Sequence, residues 1–388
     1  MDRVTNPYVP GAGRKPSALV GRDSTLKSWD VALRRAERGT TDQPFVLYGL
    51  RGVGKTVLLT QLRHDADKRD WMIVQIEGGT GRSLRELVGE GLYEPLSELN
   101  KPSRGRRFLK ALATATSFKA SYDSAGTWTF GLDLSGEASG GADSGVLETD
   151  LKKVIRDVSL AAGDAGVGLA LLIDEAQDLS PSELTTLAVV SQAAAQDNWP
   201  VLFALAGLPS LPQTLAEAKS YTERFHFEHV ERLTPDEARQ AITLPAEAEG
   251  VEWSDDALGY VVKASGRYPY FIQQFGQETW NAADGSPIAL PAAELGVAIG
   301  QQQLDNGFFR ARWDRTTTTE KRYLRAMCPH GDSGVGSGAV AAKMGKSINA
   351  TGPIRAKLIH KGLIYAPDHG VVTFTVPGMA DFIERQLD

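Results

Sequence analysis

Hydrophobic and polar positions divide the chain into two regimes. Between residues 45 and 230, short apolar runs recur: "FVLYGL", "WMIVQIE", "GLALLIDE", "PVLFALAGL" and "FHFEHV". Between them lie stretches whose apolar residues repeat at helical spacing, near residues 55–68, 81–99, 146–162, 181–197 and 209–222. Nearly continuous apolar strands separated by helices need cover on both faces, so the pattern predicts an α/β core built on a parallel sheet.

After residue 231 the strand-like runs stop. "LTPDEARQAI" opens on a Thr cap with Pro in the first turn, and "WSDDALGYVVKASG" runs from a Ser/Asp cap to a Gly stop, so residues 232–315 read as a small helical domain. In residues 316–388, "TTTTEKRYLRAM", "GAVAAKMG" and "NATGPIRAKLIHKGLI" read as three helices, and "LIYAPDHGVVTFTVP" as two strands about an Asp-His-Gly turn. Three helices followed by a hairpin is the order of a winged helix-turn-helix.

Two segments stand apart. Residues 1–16, rich in Pro and Gly, read as a flexible N-terminal arm without a core of its own. Residues 117–145 alternate at period two around a Gly-containing turn and end in a Gly/Ser/Asp tail, which predicts a β-hairpin insertion in the core of residues 17–231. That hairpin is either a surface decoration or a contact element for a partner or substrate.

Composition narrows the classes. At 388 residues the chain is long enough for two or three domains, and 42% hydrophobic with 23% charged residues is ordinary for a soluble globular protein. One cysteine, Cys328, excludes an internal disulfide framework and a cysteine-built zinc site, which fits a reducing compartment. The first residues lack an apolar signal-peptide core and no run of about 18 apolar residues follows, so a cytoplasmic protein without a membrane partner is expected. The net charge of -6 argues against general stickiness to nucleic acid, yet residues 316–388 hold nine basic and six acidic side chains, a local +3.

The sharpest chemical signal is "GLRGVGKT". Gly49, Gly54, Lys55 and Thr56 satisfy G-x-x-x-x-G-K-[ST] between a strand and a helix, the context in which glycine lets backbone N–H groups, including those of Gly52, Val53 and Val57, close around phosphate oxygens. In that pattern Lys55 reaches the β- and γ-phosphates of ATP and Thr56 supplies a hydroxyl to Mg2+. "LALLIDEAQDL" ends a buried strand on Asp174 and Glu175, where an α/β sheet presents ligands. Asp174 is there to hold the Mg2+ through water, and Glu175 to polarise the water that attacks the γ-phosphate.

With "ALVGRDSTLKSW", these motifs resemble an AAA+ P-loop ATPase of the origin-recognition-like branch, over most of the chain from about residue 16. The resemblance implies ATP and ADP as ligands, a helical lid at 232–315, a C-terminal winged helix, and Mg-ATP turnover that regulates engagement of double-stranded DNA or homo-oligomer assembly. It implies adenine contact by Val20, Gly21 and Arg22, and a subunit-bridging role in catalysis for Arg224. Two features depart from it. The fourth strand ends in "ALAGLPSL", with Ala206 and Gly207 where relatives carry a polar group, and the lid segment "SGRYPYF" is closer to the glycine-proline lid of STAND signalling ATPases, with Pro269 positioned near the base and Arg267 beside it.

On the winged helix, Lys346, Ser347, Asn349, Thr351, Arg355 and Lys357 fall at the start of, or along, the recognition helix, and His369 at the wing tip, where such modules meet DNA. The alternative is a slow, nucleotide-gated STAND-like switch or scaffold whose winged helix docks protein.

Overall fold

The computed structural model describes residues 1–11, 13–79, 81–98, 106–120, 141–331 and 333–386. They form two compact units: one of Asp23–Tyr48 and Lys55–His229, the other of Met1–Arg22, Gly49–Gly54 and Val230–Asp388.

The first unit is the α/β core. Its elements are α1 (Asp23–Ala36), β1 (Phe45–Tyr48), α2 (Lys55–Asp67), β2 (Met72–Glu77), α3 (Leu84–Gly91), α4 (Tyr93–Glu98), α5 (Arg106–Ala120), α6 (Leu147–Asp164), β3 (Leu169–Asp174), α7 (Pro181–Gln196), β4 (Val201–Gly207), α8 (Leu211–Ala218) and β5 (His226–His229). The five strands form one parallel sheet in the order β2-β3-β4-β1-β5. Every residue of β3 and β4 is buried, because helices cover both faces of a parallel sheet. The register pairs Tyr48 with Gly207 and Glu77 with Asp174, so the carboxyl ends of the central strands lie level, beside the switch in strand order at β1.

All five strand expectations hold, and three segments differ from the pattern. The helix expected over residues 81–99 is two, because Pro95 has no N–H to offer the Gly91 carbonyl. The helix expected at 209–222 stops at Ala218 and gives way to a 3-10 turn over Ser220–Arg224. Residues 117–120, expected to open the hairpin, instead close α5, where Phe108, Ala111, Leu112, Ala115 and Phe118 are buried at helical spacing. Residues 121–140 of that expected hairpin lie outside the described residues.

The second unit continues with α9 (Pro235–Ala248), α10 (Asp255–Ala264), α11 (Pro269–Ala282), α12 (Leu290–Leu304), a π-helical turn over Asp305–Phe309 and α13 (Arg310–Asp314). It closes with α14 (Thr318–Met327), β6 (Val335–Gly336), α15 (Ser337–Lys343), α16 (Ile348–His360), β7 (Ile364–Tyr365), β8 (Val371–Phe374) and α17 (Met379–Glu384). The short strands pair antiparallel in the order β6-β8-β7, and α17 packs on α14.

The N-terminal segment packs into the second unit. Tyr8 is buried between Trp253 and Trp280, its ring edge-on to both at 6.3 Å, and its hydroxyl donates to the Ile242 carbonyl at 2.6 Å. Burial drives the phenol well above its ordinary pKa, so it stays a donor. The Asn6 amide donates to the Gln277 carbonyl at 3.0 Å and the Trp280 indole to that of Asp2 at 2.8 Å, so the segment is part of the unit that holds the chain after Val230.

Candidate functional site

In the α/β unit the site begins at α2. Lys55 and Thr56 are its first two residues, and Val57 follows half-buried. Lys55 is buried and its charge acts on Asp174, the last residue of β3; the Thr56 hydroxyl donates to the Asp174 carboxylate. Burial pushes the Asp174 carboxyl above the ordinary range, and the Glu175 charge adds to this; the bonds from Thr56 and from the Glu175 N–H, and the Lys55 charge, pull it back. A buried carboxylate beside a hydroxyl, both hard oxygen donors, fits Mg2+.

Glu175 follows in the left-handed region at φ 46°, a conformation that costs a non-glycine residue about 1–3 kcal/mol. Its N–H donates to Asp174 Oδ1 at 2.9 Å. The chain beyond β2 holds the bend: the Gly78 N–H donates to the Asp174 carbonyl at 2.9 Å, and a Cβ on Gly78 would stand 2.5 Å from the Glu175 carbonyl oxygen. The Gln177 amide nitrogen donates to Glu175 Oε2 at 2.7 Å, while its oxygen accepts from the Leu208 N–H, just past β4, at 2.9 Å. Neither Gly78 nor Gln177 was among the residues the sequence pointed to. The clue to Gln177 was an amide two positions after the acid in "DEAQ".

The other unit carries residues 49–54. Gly52 at φ 83° and Gly54 at φ 97° take backbone conformations that a side chain resists, and a Cβ on Gly54 would meet nothing within 4 Å. Gly49 lies against the Val230 carbonyl, and Val53 is buried. Of the adenine candidates, Arg22 comes to this loop: its guanidinium donates to the carbonyls of Val53 at 3.1 Å and Glu231 at 2.8 Å, while Gly21 is left-handed at φ 72° beside Glu237 and Val20 is half-buried.

The "SGRYPYF" segment comes to it as well. Pro269 is the first residue of α11, and the Tyr268 ring lies so close to Gly52 that a Cβ there would stand 2.7 Å from Cε1. Arg267 is left-handed at φ 63°, and its carbonyl accepts from the Leu233 N–H at 3.0 Å. Arg51 reaches the Gly362 turn, and the Arg312 guanidinium stacks 3.8 Å over the Phe308 ring. Burial first, and then the Arg51 charge, bring Arg312 down to about 10.

The remaining candidates are scattered. Arg224 ends its 3-10 turn exposed, with no ion pair to any described residue. Lys346, Asn349, Lys357 and His369 are exposed, and Arg355 is half-buried near Tyr323. Thr351 is a correction: it is buried, and its hydroxyl returns to the carbonyl of Ile348 at 3.0 Å, so it faces inward on α16.

A parallel sheet whose first strand leads into a Gly-Lys-Thr helix start, with a buried aspartate and a glutamate ending the strand that anchors it, defines a P-loop NTPase. The sequence agrees: residues 18–204 match the AAA ATPase domain, and residues 306–383 match a domain of unknown function (DUF8462). A search of curated proteins gave no match.

Among solved structures, the Walker-type ATPase Paby2304 of Pyrococcus abyssi is similar at a TM-score of 0.60 and 14% identity, covering 95% of this chain and 97% of that one. The RuvB Holliday junction branch migration motor of Thermotoga maritima aligns at a TM-score of 0.47 and 15% identity, over 96% and 99%. Cdc6p of Pyrobaculum aerophilum aligns at 0.46 and 15%, over 99% and 97%. The domain match and the shared P-loop fold support an ATP-binding AAA+ P-loop ATPase. Among the described residues no helix is long and apolar enough to cross a membrane.

Proposed function

We propose that the chain is an Mg-ATP hydrolase whose nucleotide state regulates engagement of double-stranded DNA or assembly with itself. The observation that carries the reading is the join of Lys55 and Thr56 to Asp174, with Glu175 held next in line. Bound Mg2+ would neutralise phosphate charge, held by Thr56 and Asp174. Lys55 draws the β- and γ-phosphates to the loop, and the backbone N–H groups of residues 52–57 orient them. Glu175 accepts the proton of the attacking water. Val20, Gly21, Arg22 and Pro269 are the candidates to hold the base.

For the chain beyond the core, the order α14, β6, α15, α16, β7, β8 supports a winged helix, with Lys346, Asn349, Arg355, Lys357 and His369 as its DNA contacts. The exposed Arg224 is proposed to act on a nucleotide held by a neighbouring copy.

The test pairs two variants. Lys55→Ala lowers ATP affinity by about tenfold or more, the loss of a charge-assisted contact; unchanged affinity rejects the site. Glu175→Gln binds ATP as the parent does and stops turning it over, and a fully active variant means another base. A second reading, the slow STAND-like switch with a protein-docking winged helix, draws on the Tyr268-Pro269 approach to Gly52 and on a β4 end without a polar side chain. ATP turnover with and without duplex DNA, beside mass measured in ATP and ADP, separates the two. Stimulation and assembly support the first, and slow turnover indifferent to DNA the second.

A further inference from the structure

Glu175 does not stand by itself. Its carboxylate receives the Gln177 amide at 2.7 Å, and the other end of the same amide receives the Leu208 N–H at 2.9 Å. One planar group therefore ties the acid after β3 to the first residue after β4. Space for it exists because residue 207 has no side chain: a Cβ there would stand 2.7 Å from Gln177 Oε1. Ala206 and Gly207 bring no polar atom of their own to the end of β4, and the next side-chain hydroxyl is that of Ser210.

Geometry gives the amide a task. Glu175 sits in the left-handed region, its backbone held by Gly78 and by the Asp174 carboxylate, and the Gln177 amide acts on the side chain beyond that backbone. An N–H donated to Oε2 limits the swing of the Glu175 carboxylate. A neutral amide does this without placing a charge beside the acid. Because the amide oxygen is held by a main-chain N–H, its nitrogen is also fixed as the end that faces Glu175.

We infer that Gln177 is a positioning residue for hydrolysis: it orients the Glu175 carboxylate from the end of β4, filling the space that Gly207 leaves open. The inference rests on the reading of Glu175 as the base.

Gln177→Glu is the discriminating variant. It is nearly isosteric and keeps an acceptor for the Leu208 N–H, but it donates nothing to Glu175 and sets a like charge against it. Orientation by the amide then predicts a fall in kcat of roughly ten- to hundredfold with ATP affinity within about twofold of the parent. Hydrogen exchange at the Leu208 amide, measured without nucleotide, stays protected in Gln177→Glu and speeds up in Gln177→Ala, a readout that needs no turnover. Full kcat in Gln177→Glu, or a loss of ATP affinity that matches the loss of kcat, overturns the inference and leaves Gln177 as a structural tie. Unchanged Leu208 exchange in Gln177→Ala overturns the bridge itself. Glu175→Gln run alongside keeps the two readings apart: if it stays active the base assignment fails, and if it is dead while Gln177→Glu is active only the Gln177 inference fails.

Discussion

At the scale of the residue, the site depends on places where side chains are missing as much as on those present. Gly78 has no Cβ, and that allows the Glu175 carbonyl to lie where one would be, at 2.5 Å. Gly78→Ala therefore displaces Glu175 while leaving Lys55 and Thr56 untouched. Expected is a drop in ATP turnover of roughly ten- to hundredfold at unchanged ATP affinity, read by steady-state kinetics beside a binding titration. Much of the site was legible in the sequence: a glycine-rich turn before Lys-Thr and an acidic pair ending an aliphatic strand are local patterns with local causes. Gly78, Gln177 and Tyr268 were not, since their parts follow from neighbours distant in sequence. The misplacement of Thr351 had a different cause. Its helix was found, but which face of α16 turns inward is set by its packing on α14, which is distant in sequence.

At the scale of the element, boundaries follow caps. Ser83 with Glu86, Ser180 with Glu183, Thr234 with Glu237 and Thr317 with Glu320 each close a capping box at the start of α3, α7, α9 and α14. The Thr234 and Glu237 exchange sits where the chain leaves the sheet for the helical region, and it was readable as "LTPDE". Thr234→Ala removes an acceptor that no other side chain replaces, and should lower stability by about 1 kcal/mol, seen as a shift in the denaturant midpoint at constant slope. The five strands were readable because a doubly covered strand is apolar throughout. Helix α5 was hidden by small residues: "ALATATS" gives a weak helical stripe, and the period-two alternation that begins beside it competed for the same residues.

At the scale of the whole molecule, the chain passes from one compact unit to the other between His229 and Val230. Residues 1–22 belong with the chain after Val230, and nothing local announced it: a Pro/Gly-rich segment with one Tyr looks the same whether loose or docked. Tyr8→Ala tests the docking. Emptying the space between Trp253 and Trp280 should cost about 3–5 kcal/mol, measured as earlier unfolding of that unit by tryptophan fluorescence.

The docking of Tyr8 also sets an order of events during synthesis. Its hydroxyl meets a carbonyl 234 residues further along, and at about 5–20 residues per second the ribosome needs roughly 12–50 seconds to supply it. Through that interval the entire α/β sheet emerges, while the first aromatic of the chain has no burial site. Tyr8 is thus made long before the residues that bury it.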